Sequence, residues 1–107
     1  MEDLTSKQRA QLRGLANGID TILIIGKDGI GDNLVKQAND ALEARELIKG
    51  RVLETCMLSP REAAQALAPL TRSQVVQVIG TKFVLYRPTH NKEKKDRIVL
   101  ISAKKGK

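Results

Sequence analysis

Residues 21–29 read TILIIGKDG, an apolar run followed by a four-residue loop with a glycine at each end. Four of the first five residues are apolar and three of these are β-branched, which is typical of a β-strand. Because no polar residue alternates with them, we expect Thr21–Ile25 to be a central strand covered on both faces. The loop Gly26-Lys27-Asp28-Gly29 then predicts a tight turn.

A helix and a second strand should follow this loop. Five apolar residues recur at helical spacing and would share one face of a helix over residues 33–46, which Asp32 or Asn33 could cap. They are Leu34, Val35, Ala38, Ala41 and Leu42. Residues 47–54 are predicted to form the next strand. Since a helix joins the two strands, they should be parallel, with a right-handed crossover.

Two further helix starts are marked in the sequence. Thr5, with Gln8 three residues later, is a capping-box pattern for a first helix over residues 5–15. Ser59-Pro60 opens a third helix, which Pro69 should end.

The last two predicted strands, residues 74–79 and 82–87, are joined by a hairpin turn at Gly80-Thr81. The order of elements is therefore α-β-α-β-α-β-β. We expect an α/β fold, a single compact domain in which three helices flank a four-stranded mixed sheet.

Length and composition exclude several classes of protein. The 107 residues suffice for one domain with its own core. With one cysteine and one histidine, Cys56 and His90, an internal disulfide and the usual zinc site are both excluded. No apolar run approaches the roughly 18 residues of a membrane span, and residues 1–9 lack the apolar core of a signal peptide. We therefore expect a cytoplasmic protein with no metal and no cofactor.

The net charge of +7 is unevenly distributed along the sequence. Residues 1–79 carry ten basic and ten acidic groups, whereas residues 80–107 carry nine basic and two acidic ones. A basic surface attracts phosphates before any specific fit exists, so a polyanion is the first partner to consider. Residues 89–107 are predicted to be a basic, partly flexible tail with a short edge strand at 97–102. The tail could solubilise the protein or follow a phosphate backbone.

The loop at residues 26–29 has features of a phosphate-binding loop. Its glycines would let a ligand approach the backbone, the amides at the following helix start favour anions, and Lys27 adds a cation. Loops of the G-x-x-G type clamp the nucleic-acid backbone in KH domains. Taken alone, the four residues favour a plain turn over a phosphate-binding loop.

Six separated motifs, in order and in register, resemble the CRM domain and in particular the stand-alone bacterial YhbY-like proteins. They are LTSKQR (4–9), LRGLA (12–16), IGKDG (25–29), ALEARELIK (41–49), VQVIG (76–80) and VLYRP (84–88). The resemblance covers about residues 4–88, which we predict to be an RNA-binding domain of this type. It implies a fold similar to the C-terminal domain of bacterial translation initiation factor three.

The resemblance also implies a function. Bacterial members associate with precursors of the large ribosomal subunit, and plant organelle relatives act in intron splicing. Their G-x-x-G loop falls on Gly26, Lys27, Asp28 and Gly29.

The sequence departs from the family pattern at two places. Gly50 stands where a β-branched residue is expected, so its strand could be weakened or bulged. Gly31-Asp32-Asn33 stands where the family more often has a threonine after the loop, and Asp28 and Asp32 place negative charge near the expected phosphate site. They could lower affinity for RNA, or they could favour the start of the helix.

The candidate RNA-binding residues are the four loop residues and a set of arginines and lysines. They are Gly26, Lys27, Asp28, Gly29, Arg9, Arg13, Lys49, Arg51 and Arg87. For the first two arginines, a solvated helix face is an equal alternative. Lys49 and Arg51 share one strand face, where they could instead protect a sheet edge from aggregation.

The two aromatic residues, Phe83 and Tyr86, are expected to be structural. They are three residues apart in a strand, so they point to opposite faces and cannot form a paired stacking platform. Backbone contacts should therefore dominate, which favours recognition of RNA shape over sequence. Cys56 is expected to be a small buried apolar residue, and His90 has no nearby partner for catalysis.

Three hypotheses for function follow from the residues and the resemblance. The first is a non-catalytic, monomeric protein that binds ribosomal RNA or pre-ribosomal particles during assembly of the large subunit. The second is a ribosome-associated adaptor that contacts protein. The third, a nuclease, lacks clustered carboxylates, a histidine pair and a nucleophile with its base.

Overall fold

Three helices and four strands follow one another in the computed structural model, which describes residues 4–88 and Ile98. They are α1 (Ser6–Ala16), β1 (Thr21–Ile25), α2 (Asp32–Arg45), β2 (Leu47–Val52), α3 (Pro60–Thr71), β3 (Gln74–Ile79) and β4 (Lys82–Tyr86). This order confirms the α/β prediction. The expected edge strand at 97–102 and His90 lie outside the described residues, Ile98 excepted, and the boundary between domain and tail stays a prediction.

The strands form one mixed sheet in the order β1-β2-β4-β3. As predicted, β1 and β2 are parallel, while β4 is antiparallel to β2 and to β3. The predicted central position of β1 is wrong, because β1 lies at an edge of the sheet and Ile24 is 51% exposed. The sequence could not show this, because an exposed isoleucine looks the same in an apolar run as a buried one.

The helices cover the two faces of the sheet unequally. α2 and α3 pack on one face, in an apolar cluster that contains Ile25, Ile48, Phe83 and Leu85. A smaller cluster on the other face joins Leu12 and Ala16 of α1 to Leu47, Val76, Val84 and Tyr86 of the sheet. Phe83 and Tyr86 are therefore buried on opposite faces, as predicted. Among the described helices only α1 covers the second face, so part of that face is open.

Local signals place the starts of α1 and α3 correctly. The hydroxyl oxygens of Thr5 and Ser59 each accept a hydrogen bond, at 3.1 Å, from the amide three residues later. Both capping boxes are complete, and Pro60 occupies the first turn of α3. Such caps depend on a few adjacent residues, which is why the sequence predicts them well.

Two predicted helix ends are wrong. α2 begins at Asp32 after Gly31, so neither Asp32 nor Asn33 is its cap. α3 continues through Pro69 to Thr71. A proline in a helix removes the hydrogen bond to the carbonyl four residues earlier. Here that residue is Gln65, which is exposed, so water can bind the carbonyl.

Gly50 is required by the ring of Phe83. An ideal Cβ placed on Gly50 would lie 2.8 Å from Cε1 and 2.9 Å from Cε2 of Phe83, and closer still to Cζ. β2 has no bulge at this position, since Gly50 is paired with Leu23 on one side and Phe83 on the other. The irregularity lies instead in β1, between Thr21 and Leu23.

Gly50→Ala should therefore destabilise the protein, because its methyl group would force the Phe83 ring out of the core. We expect a loss of about 1–3 kcal/mol in the free energy of unfolding, measured by urea denaturation. Gly14→Ala is the matched control: Gly14 lies in α1 with open space around its Cα. It should gain about 0.5–1 kcal/mol. Equal stability of the two variants would contradict this account.

Candidate nucleic-acid interface

The loop at residues 26–29, called the GKDG loop below, is a closed turn held at the end of β1. The amide of Gly29 donates to the carbonyl of Gly26 at 3.0 Å. Gly29 has a φ of +65°, a conformation that favours glycine. The amide of Leu53 donates to the carbonyl of Ile25 at 2.9 Å, so the chain after β2 fixes the point where the loop begins.

The other glycine of the loop is not explained by folding. Gly26 does not have a positive φ. A Cβ on Gly26 would lie 3.6 Å from Leu53 Cδ1 and 3.7 Å from Thr55 Oγ1, which are ordinary van der Waals distances. The fold would therefore tolerate alanine at this position. The bare backbone of Gly26 leaves room for a ligand to approach closely.

Backbone donors adjoin the loop at the start of α2. Gly31 precedes the helix without a side-chain cap, and the first bond within the helix runs from the amide of Val35 to the carbonyl of Gly31 at 3.0 Å. The amides of the first turn have no acceptor within the helix. Lys27, Asp28 and Asp32 are exposed beside them. With one cation and two carboxylates, the loop offers backbone donors but no positive net charge.

Positive charge is concentrated on the sheet face that α1 covers in part. Side chains alternate along a strand, so Lys49 and Arg51 lie on the same face as Leu47, and Lys82 on the same face as Val84. This surface, called the basic face below, is made by α1 and the sheet beside it. The charged residues that α1 and the strands contribute to it are Lys7, Arg9, Arg13, Lys49, Arg51 and Lys82. Asp20 and Arg45 border this surface beside Leu15 and Leu47. Neither α1 nor any of the four strands contains an aspartate or glutamate.

The opposite face is close to neutral. α2 and α3 together contain three basic and four acidic side chains. One exposed pair on α2, Lys36 and Asp40, forms an ion pair at 3.2 Å. The domain therefore has one strongly basic face and one without excess positive charge. This asymmetry is not visible in the linear sequence, where residues 1–79 have no net charge.

The model of the CRS1/YhbY (CRM) domain family matches residues 4–87. This chain belongs to the CRM family. The chain also aligns with most of the length of two curated relatives. It is 48% identical over 84 residues to the Bacillus subtilis "Probable RNA-binding protein YqeI", covering 78% of this chain and 88% of that protein. It is 32% identical over 89 residues to an RNA-binding protein of Haemophilus influenzae, covering 83% of this chain and 90% of that one.

A solved structure has the same fold as this CRM domain. The solution structure of the Staphylococcus aureus protein SAV1595 is similar with a TM-score of 0.73 and 48% sequence identity. The similarity covers 92% of this chain and all of that one.

The CRM domain brings some predicted site residues together and separates others. Lys49 and Arg51 lie on the basic face with Arg13, which is exposed. Arg9 is half-buried, and its guanidinium donates to the carbonyl of Val75 in β3, the outermost described strand on that side of the sheet. Arg9 therefore helps to dock α1 as well as adding charge.

Lys82 also lies on the basic face, although the sequence did not predict it there. The sequence alone placed it with the charge of the C-terminal quarter. Only the register of β2 and β4, which sets Lys82 opposite Arg51, assigns it to the basic face.

Arg87 is not placed as expected. Its side chain is 12% exposed and turned into the CRM domain. The guanidinium donates to Asn39 Oδ1 and to the carbonyl of Thr71, both at 2.9 Å, and to the carbonyl of Asn39 at 3.2 Å. It is also paired with Glu43 at 3.2 Å. Arg87 thus joins the end of β4 to α2 and α3, and we leave it out of the interface proposed below.

The described residues of the CRM domain contain neither a candidate membrane span nor a candidate metal site. Across residues 4–88 and Ile98, no helix is long and apolar enough to cross a bilayer. Within the same residues, no three His, Cys, Asp or Glu side chains cluster as metal ligands would. Cys56 is half-buried against the main apolar cluster and its Sγ accepts from the amide of Leu58 at 3.4 Å.

Arg87→Gln should destabilise the domain without acting on RNA directly. Losing hydrogen bonds from a charged, mostly buried group should lower the free energy of unfolding by about 1.5–3 kcal/mol, measured by urea denaturation. Arg61→Gln, at an exposed position of α3, should change it by less than about 0.5 kcal/mol. If Arg87→Gln lowered RNA affinity but left the free energy of unfolding unchanged, this arginine would instead belong to the interface.

Proposed function

We propose that this protein binds RNA, without catalysing a reaction on it, through the basic face and the GKDG loop. The observation that carries the proposal is the charge asymmetry: six basic residues and no acidic one on α1 and the four strands. The names of the relatives from Bacillus subtilis and Haemophilus influenzae support it.

The two parts of this interface would contribute differently. The cations of the basic face attract phosphates from any RNA and supply most of the affinity. The GKDG loop and the start of α2 present backbone amides that can hold one phosphate in a fixed position. If about five phosphates are contacted, the log–log salt slope is about −4.5 on a duplex and about −3.5 on a single strand.

We further propose that the RNA is ribosomal, within precursors of the large subunit, and that the protein acts on it as a cytoplasmic monomer. This part rests on the resemblance to the YhbY-like proteins. In such a particle a non-catalytic binder can hold an RNA segment in place during assembly. The competing adaptor hypothesis predicts binding that depends on protein surfaces and little on salt.

Charge reversal on the two faces separates these possibilities. Arg13→Glu/Arg51→Glu removes four units of positive charge from the basic face. Lys36→Glu/Arg61→Glu removes the same charge from the opposite face and is the matched control. Affinity for structured large-subunit RNA fragments, measured across a salt series, should fall at least about tenfold in the first variant and change less than about twofold in the second.

Equal losses in the two variants would show that only net charge matters, and would contradict a defined interface. Small-subunit RNA fragments serve as the specificity control. If they bind equally well at every salt concentration, the large-subunit assignment fails while RNA binding stands.

Gly26→Ala tests the loop separately. The backbone at this position accommodates a Cβ, so we expect stability to stay within about 1 kcal/mol of the unaltered protein. RNA affinity should nevertheless fall, because a methyl group packed against Leu53 and Thr55 adds bulk beside the backbone that a phosphate would approach. Gly18→Ala, in the turn after α1, should leave affinity unchanged. Normal RNA binding by Gly26→Ala would mean that the loop is only a turn.

A further inference from the structure

One row of side chains crosses all four strands at the end of the sheet that α1 leaves open. Strand register pairs Ile24 with Arg51, Arg51 with Lys82, and Lys82 with Ile79. All four lie on the basic face, because each neighbours a core residue of the opposite face along its strand. We call these four residues the open row. With strands about 4.8 Å apart, the row spans about 14 Å.

The open row is exposed because α1 packs on the rows nearer the other end of the sheet. The residues that α1 covers include the cross-strand pair Leu47–Tyr86 and the next apolar residue of β4, Val84. Beyond them, Ile24 is 51% and Ile79 is 61% exposed. Two large aliphatic side chains thus flank two cations on a flat surface.

The two cations are placed where they repel each other. Arg51 and Lys82 are directly opposite in an antiparallel pair, an arrangement that destabilises a sheet when the charges are alike. Neither forms an ion pair within the described residues. A phosphate bound between them would relieve the repulsion, so the row is suited to an anionic ligand.

The row is also continuous with the GKDG loop. Ile24 borders the same surface depression as Gly26, Lys27 and Gly29. An RNA backbone held at the loop would therefore reach the row directly at the β1 edge.

We propose that the open row binds an unpaired RNA segment that continues from the GKDG loop across the sheet. The phosphates would lie on Arg51 and Lys82, and exposed base or sugar faces would pack on Ile24 and Ile79. A duplex presents phosphates and sugars outwards and keeps its bases stacked inside, so it offers the isoleucines little apolar surface. An unpaired strand offers both phosphates and base faces. This inference rests on the proposed RNA-binding function and adds the form of RNA that the face prefers.

The test compares two variants of the row on two RNA probes, a short oligouridine and a blunt duplex with the same number of phosphates. Ile24→Thr/Ile79→Thr keeps β-branched residues in the strands while removing apolar surface. It should lower affinity for oligouridine by about fivefold, change duplex binding less than twofold, and leave the salt slope unchanged. Arg51→Gln/Lys82→Gln should flatten the salt slope on oligouridine by about 1.4, which is two phosphate contacts.

Leu70→Gln is the matched control, because Leu70 is equally exposed but lies on α3, on the opposite face. It should bind both probes like the unaltered protein. Should the threonine variant fold poorly, photocrosslinking of 4-thiouridine-substituted oligouridine to the unaltered protein provides a second measurement. Crosslinks should fall on β1, β2, β4 and β3 around the row rather than on α3.

Three outcomes would overturn the proposal. Row variants could bind both probes normally while Gly26→Ala weakens binding, which would leave RNA recognition to the loop. The isoleucine variant could weaken duplex and oligouridine binding equally, so that no preference for unpaired RNA exists. Polyglutamate of equal charge could compete better than oligouridine, which would make the row a site for acidic protein. If instead neither probe binds the unaltered protein, the proposed function itself fails.

Discussion

The packing of the Phe83 ring over Gly50 fixes the register of the two central strands. With no side chain on Gly50, the ring fills that place in the core between the sheet and the helices α2 and α3. A slip of one residue between β2 and β4 would set a side chain against the ring and turn every strand residue to the wrong face. The same register places Arg51 opposite Lys82. A core constraint on one face thus determines the charge arrangement on the other.

The difference in charge between the two faces follows from where the three helices pack and which charged residues they contain. α2 and α3 bury most of the apolar residues on their face and have mixed charges of their own. α1 covers only part of the second face and contributes cations to it, while Arg9 donates a hydrogen bond to the carbonyl of Val75 in β3. The open part of the sheet is left with basic and aliphatic side chains. The GKDG loop, whose side chains have no net positive charge, adds donors of a different kind at the β1 edge of this surface.

The sequence predicted the features that depend on neighbouring residues. The caps at Thr5 and Ser59, the parallel pair joined by α2, and the Gly80 hairpin all follow from short patterns. What it missed depends on distant residues. The edge position of β1 depends on which strands pair, and it was hidden because Ile24 is exposed yet apolar. The continuation of α3 past Pro69 is instead a local exception, at a turn of the helix where Gln65 is exposed.

The candidate site shows the same contrast between features set by neighbouring residues and features set by distant ones. The GKDG loop and the pair Lys49 and Arg51 could be found from local spacing and from the family resemblance. The contacts of Arg87 could not be predicted, because its partners on α2 and α3 lie 16 to 48 residues away in sequence. The position of Lys82 beside Arg51 could not be predicted, because it depends on strand register. Counting charge along the chain put the excess at the C-terminus, whereas the folded domain also concentrates cations on one face.

The central claim is that one face of this domain, and not its net charge, meets RNA. The most direct test is to record backbone amide chemical shifts of the ¹⁵N-labelled protein during titration with an RNA fragment at near-physiological salt. The account predicts shifts concentrated in the GKDG loop, α1 and the open end of the sheet, with the outer surfaces of α2 and α3 unaffected. Shifts centred on α2 and α3, or spread evenly over both faces, would contradict it.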